Sequence, residues 1–156
     1  MNTAAEKKQE RERHVFQKFI RTSKLPIFPE SVESRLHPEP DILCLDAEEG
    51  HIAFELTEIC AEELARKLSA IDKEEFGLVR SQDPSWSVLR KKLRKSYQTS
   101  HPVELLCYVG RALSADSQIR ATIQPLIDMN NGQFRRIWLW GDKCHLIFGP
   151  ARPPSF

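Results

Sequence analysis

The sequence predicts an α/β fold, a mixed central β-sheet flanked by helices, and three observations carry that prediction. Apolar runs with strand character come in pairs joined by tight turns around Gly50 and around Gly141. A segment with helical spacing precedes the first pair, and helical segments with one further strand separate the two pairs. Hairpins at both ends with a helical crossover between them call for parallel as well as antiparallel neighbours, with helices packed on the sheet. At 156 residues the chain has the length of a single domain, taken as 1–149, followed by a loose proline-rich tail, 150–156.

The elements follow in order. Val15, Phe16, Phe19 and Ile20 repeat at helical spacing, which predicts an amphipathic helix from Ala4 to Thr22. On a helical wheel Glu12 projects near the centre of its apolar face, whereas Glu10 and Arg13 point away. Pro26, Pro29, Pro38 and Pro40 make the next stretch an irregular connection with at most a short turn between Glu30 and Arg35. A hairpin over Asp41 to Glu58 comes next, then a helix from Ala61 to Ile71. A second helix starts near Ser85, signalled by Asp83-Pro84, and runs to Tyr97. Its core stripe is Trp86, Leu89, Leu93 and Tyr97, with Arg90, Lys91, Lys92, Arg94 and Lys95 around it. A strand over Val103 to Val109, a helix from Ser114 to Met129, a turn at Asn130-Asn131-Gly132, and a hairpin of Arg136 to Trp140 with Cys144 to Phe148 complete the domain.

Two carboxylates inside the first hairpin stand out. An ionised group in a half-buried sheet costs several kcal/mol, roughly, unless it is paired, hydrated or metal-bound. If Asp46 and Gly50 face each other across the turn, opposing residue numbers sum to a constant and Asp41 lies opposite Glu55. Like charges there repel, whereas a hard divalent cation such as Mg²⁺ takes one or two carboxylates together with water and phosphate oxygens. Alternation puts Ile52, Phe54 and Leu56 on one face and His51, Ala53, Glu55 and Thr57 on the other. The competing reading is of two acids at solvated strand ends.

Bulk properties exclude several classes. The 23 basic and 22 acidic side chains leave a net charge of +1, so any nucleic-acid surface must be local. No apolar run is long enough to span a bilayer and the amino terminus is polar, which predicts a cytoplasmic protein without a membrane partner. Cys44, Cys60, Cys107 and Cys144 show no Cys-x-x-Cys spacing and read as small buried hydrophobes. The histidines form no zinc-hydrolase pattern, and His51 reads as an exposed tip residue. No glycine-rich phosphate loop is present, and neither Ser87 nor Ser114 has the neighbours of a nucleophile elbow. Trp138 and Trp140 read as sheet packing ahead of a stacking platform for bases.

Pro40-Asp41, thirteen intervening residues, then Glu55-Leu56-Thr57 at the end of an apolar strand, with an acid-bearing helix before and a helix, strand and helix after, resembles the PD-(D/E)XK nuclease superfamily. The resemblance covers Glu12 to about Val109 and implies a restriction-endonuclease-like core. It implies Asp41 and Glu55 as ligands of Mg²⁺ or Mn²⁺, with the Leu56 carbonyl as a third, and Glu12 as the assisting helical acid. It also implies a nucleic-acid substrate, DNA ahead of RNA, and a homodimer. The chain departs from the pattern at Thr57, which stands where the superfamily has a lysine. Thr57 can position a water but brings no positive charge, so the cation must come from elsewhere or catalysis is lost. Lys92, at the edge of the second helix's apolar side, is the candidate; Lys67 and Lys95 compete. The alternative function is a catalytically inactive module that binds nucleic acid or protein.

Overall fold

The computed structural model describes residues 3–59, 84–110 and 115–152, and of residues 84–87 the backbone alone. Helix α1, Ala4–Ser23, is capped by the Thr3 hydroxyl, which accepts from the Glu6 N–H, and ends at Lys24 in a left-handed conformation. After a single 3-10 turn, Pro29–Ser31, comes the two-residue strand β1, Glu33–Ser34. Strands β2, Ile42–Asp46, and β3, Gly50–Ile59, form the first hairpin. Helix α2, Pro84–Arg94, leads to β4, Val103–Val109. Helix α3, Asp116–Met129, then precedes β5, Arg136–Trp140, and β6, Cys144–Phe148.

The six described strands form one sheet in the order β1-β2-β3-β4-β5-β6. Strands β3, β4 and β5 run parallel, and the hairpin partners β2 and β6 run against them. The sheet is therefore mixed, as the two hairpins and the helical crossover require. Its two faces bury different sets. Phe16, Phe19 and Ile20 of α1 pack with Ile42, Ile52, Phe54, Leu56, Leu106 and Trp138. On the other face, Leu89 and Leu93 of α2 and Ile119, Ile123 and Ile127 of α3 pack with Ala53, Leu105, Ile137 and Leu139. Alternation along β3 thus sends Phe54 and Leu56 towards α1, and Glu55 and Thr57 towards the α2 side.

The structure departs from the sequence expectations in several places. Helix α2 stops at Arg94, and Tyr97 lies beyond it in a non-helical segment, although Leu89, Leu93 and Tyr97 are buried as a stripe. Arg13 does not simply face away, because it donates to the Ser34 hydroxyl at 2.6 Å and ties α1 to β1. The start of the tail is anchored: Pro150 accepts from Arg136, and Arg152 pairs with Asp46 and Glu49, each at 2.7 Å. The helix expected over Ala61 to Ile71, the Asp83 cap, the Ser114 helix start, Cys60 and Lys67 lie outside the described residues. Among the described residues, no helix is long and apolar enough to cross a membrane.

Candidate metal and acid–lysine site

The first hairpin fixes the acid pair. Strand β2 pairs with β3 from Ile42↔Phe54 to Asp46↔Gly50, the register in which Asp41 falls opposite Glu55. The Gly50 backbone has φ +79°, a left-handed conformation that glycine adopts without a Cβ clash, and this closes the turn at that register. At the other end of the hairpin the ladder stops at Ile42. Continuing the register puts Pro40 opposite Leu56, and proline has no N–H to donate across the ladder. The two strands part there, and side chains take over the backbone's hydrogen bonds. The Leu56 N–H donates to Asp41 Oδ2 at 3.0 Å, and the Asp41 N–H donates to Glu55 Oε1 at 3.1 Å. In an extended strand a residue's N–H and C=O point to the same side, so the Leu56 carbonyl faces the Asp41 edge with no ladder donor opposite it.

Glu55 is 2% exposed, and its carboxyl is raised above the ordinary glutamate value. Burial and the adjacent Asp41 push its carboxyl up, and Lys92 pulls it back. Lys92 Nζ reaches Glu55 Oε2 at 2.5 Å from α2, and the Tyr97 hydroxyl donates to the same oxygen at 3.2 Å. Helical spacing explains the lysine's place: Leu89 and Leu93 anchor α2 to the core, and Lys92 sits at the edge of that stripe with its stem partly buried. From α1, whose apolar face packs on the other side of the sheet, Glu12 contacts Asp41. Burial and contact with Asp41 push the Glu12 carboxyl up to about 7.

The arrangement therefore gathers Glu12, Asp41, Glu55, Thr57 and Lys92, drawn from α1, the hairpin and α2. Among the described residues the buried Thr57 hydroxyl has no hydrogen-bond partner, so an unsatisfied polar group stands two residues along the strand from Glu55, where the resemblance would expect a lysine. Lys95 is exposed and lies over the Tyr97 ring, 5.3 Å from its centroid, not at the acids. Tyr97 escaped sequence reasoning because it completes the apolar stripe of α2; the available signal was its phenol, which needs a partner when buried. Among the described residues no three His, Cys, Asp or Glu side chains are grouped so as to hold a metal ion. The donors present, two carboxylates and a backbone carbonyl, fit a hard cation completed by water and phosphate, and do not fit an all-protein site.

The other residues singled out in the sequence sit apart from this centre. Trp138 is buried and donates to Glu104 Oε1 at 2.8 Å, and Trp140 packs against Phe19, with ring centroids 5.8 Å apart. His51 is exposed and its ring lies 5.3 Å from that of His101. Burial pushes the thiols of Cys44 and Cys107 up to about 12, so they are inert packing groups. No family model matches the chain, and no curated protein or solved structure matches it.

Proposed function

We propose that the chain is a metal-dependent phosphodiester hydrolase acting on nucleic acid, a divergent relative of the PD-(D/E)XK nucleases with a restriction-endonuclease-like core. The observation that carries this reading is the Lys92–Glu55 contact: a lysine from α2 stands at the second acid, where Thr57 leaves the motif without its cation. A Mg²⁺ or Mn²⁺ ion held by Asp41, Glu55 and the Leu56 carbonyl would polarise a phosphate oxygen and acidify a coordinated water. Lys92 would leave Glu55 to stabilise charge developing on the phosphoryl oxygens. The unpartnered Thr57 hydroxyl offers an acceptor or donor for the attacking water. Glu12, titrating near neutrality, is suited to accept or return a proton close to Asp41.

The exposed Arg90, Lys91 and Arg94 lie on α2 with Lys92, and the exposed Lys95 directly follows it. They would meet flanking phosphates and position the backbone without reading sequence. DNA ahead of RNA, a homodimer and a cytoplasmic location belong to the same proposal. One observation favours a second reading, a binding module without turnover. Both Glu55 oxygens and Asp41 Oδ2 already accept hydrogen bonds within the protein, so a cation would have to compete for them. Calorimetric titration of Mn²⁺ into the wild type and the Asp41→Ala/Glu55→Ala double variant, beside cleavage assays on DNA and RNA, separates the two. The nuclease reading expects binding that the double variant abolishes, with cleavage lost in Lys92→Met. A wild type that binds no Mn²⁺ would leave the binding-module reading.

A further inference from the structure

We propose that Tyr97 is a positioning residue that fixes the Glu55 carboxylate, and that the loop after α3 holds Tyr97 in place. The inference rests on the nuclease reading and deepens it. Glu55 Oε2 has two side-chain donors, Lys92 Nζ and the Tyr97 hydroxyl. They differ in freedom. Lys92 ends a flexible stem whose side chain is 19% exposed, and its proposed role takes it away from Glu55 to a phosphate. Tyr97 has no such freedom: its residue is 5% exposed and its ring packs 5.7 Å from that of Phe134.

The backbone of Tyr97 is also clamped. Its N–H donates to Gln133 Oε1 at 2.8 Å, and its carbonyl accepts from Gln133 Nε2 at 3.0 Å. One side-chain amide thereby satisfies both backbone groups of a residue outside any helix or strand. Next to Gln133, Gly132 lies so close to the Leu93 carbonyl that any Cβ would collide with it, and its φ is +61°. The same loop thus abuts the last turn of α2 and grips Tyr97, which sets the phenol over Glu55. A neutral phenol suits the task. It remains a donor to Glu55 when Lys92 departs, yet adds no positive charge to repel a cation at the other carboxylate oxygen.

The test has a spectroscopic arm and a kinetic arm. The chain contains two tyrosines, so in a Tyr108→Phe background NMR of Cζ-labelled tyrosine reports Tyr97 alone. The Tyr97 signal should move on Glu55→Ala and on Gln133→Ala; a signal indifferent to Glu55→Ala overturns the assignment. In the kinetic arm, Tyr97→Phe with unchanged circular dichroism should lose about ten- to hundredfold in kcat for Mn²⁺-dependent cleavage, the scale of a hydrogen bond to a charged group. KM for the nucleic acid should stay unchanged, because phosphate-binding side chains are untouched. Wild-type kcat in folded Tyr97→Phe overturns the proposal. A wild type that cleaves nothing sinks the nuclease reading instead, and the NMR arm then decides by itself whether Tyr97 holds Glu55.

Discussion

Replacing Glu12 by glutamine removes a charge that the fold holds at a cost, and the size of that cost can be worked out. The Glu12 carboxyl titrates at about 7 in the fold against 4.5 for an unperturbed glutamate, first because it is buried and next because Asp41 adjoins it. A group whose folded pKa is raised binds its proton more tightly in the native state. Stability is then fully present below the unfolded value and declines as pH rises from there through about 7. For a fully buried group the ionised form at about pH 8 would cost roughly 3 kcal/mol. Glu12 is only partly buried, so solvent screening reduces this to about 1–2 kcal/mol. Urea denaturation of wild type and Glu12→Gln across that range checks the reasoning. The variant should be more stable by about 1–2 kcal/mol at pH 8, and the difference should close towards pH 5. A difference that is constant with pH, or a variant less stable at pH 8, would refute it and make Glu12 an ordinary surface acid. Under the metal reading, Mn²⁺ should raise the melting temperature of wild type more than that of Glu12→Gln.

Two further outcomes test the scaffold that holds the site. Glu104 is fully buried and accepts from Trp138, Arg135 and Arg136, so Glu104→Ala leaves the buried Trp138 N–H without its acceptor and Arg136 with Glu49 as its remaining acid, and should cost about 2–4 kcal/mol by chemical denaturation. Asp116 accepts from the Asp142 and Lys143 N–H groups and from His145; burial works against its ionised form, but these bonds outweigh burial and hold its carboxyl below 3.8. Its contribution is therefore present above about pH 4 and fades as pH falls below that. Asp116→Ala should lose about 1–2 kcal/mol near neutrality and less in acid, and a loss that grows on acidification would contradict the bonding.

Much of the fold was legible because periodicity reports which face is buried. The 3.6-residue spacing of Phe16, Phe19 and Ile20 located α1, and the tight turn that sets Asp46 against Gly50 gave the register that opposes Glu55 to Asp41. Lys92 was legible for the same reason, since a wheel shows it at the margin of the Leu89–Leu93 stripe. Periodicity is silent on pairings made between distant segments. Strand β1 is two residues long and has no alternation to detect. Arg152 closes onto Asp46 across the whole domain, so a proline-rich tail read as loose is pinned at its start. Tyr97 was assigned to the core correctly, yet its hydroxyl contact with Glu55 and its backbone bonds to Gln133 join distant segments that no local pattern links.

The two buried charge sets of this sheet are built differently, and that difference bears on function. Around Glu104 each acid meets a guanidinium: Glu104 and Glu49 contact Arg135 and Arg136, and Asp46, Glu48 and Glu49 contact Arg152. In such a set every acid has a cation beside it, although among the described residues Asp46 Oδ2 and one Arg152 guanidinium nitrogen make no hydrogen bond of good geometry. At the fork of β2 and β3 the acids contact one another instead. Glu12 adjoins Asp41, Asp41 adjoins Glu55, both Glu12 and Glu55 have raised pKa values, and Lys92 pairs with Glu55. A site that served stability alone would gain by losing a carboxylate, which is the outcome expected for Glu12→Gln and the reverse of that expected for Glu104→Ala. Perturbed acids gathered at one place, with a Thr57 hydroxyl that has no partner among the described residues, are what the proposed metal site would need, and the opposite signs expected for Glu12→Gln and Glu104→Ala test that proposal.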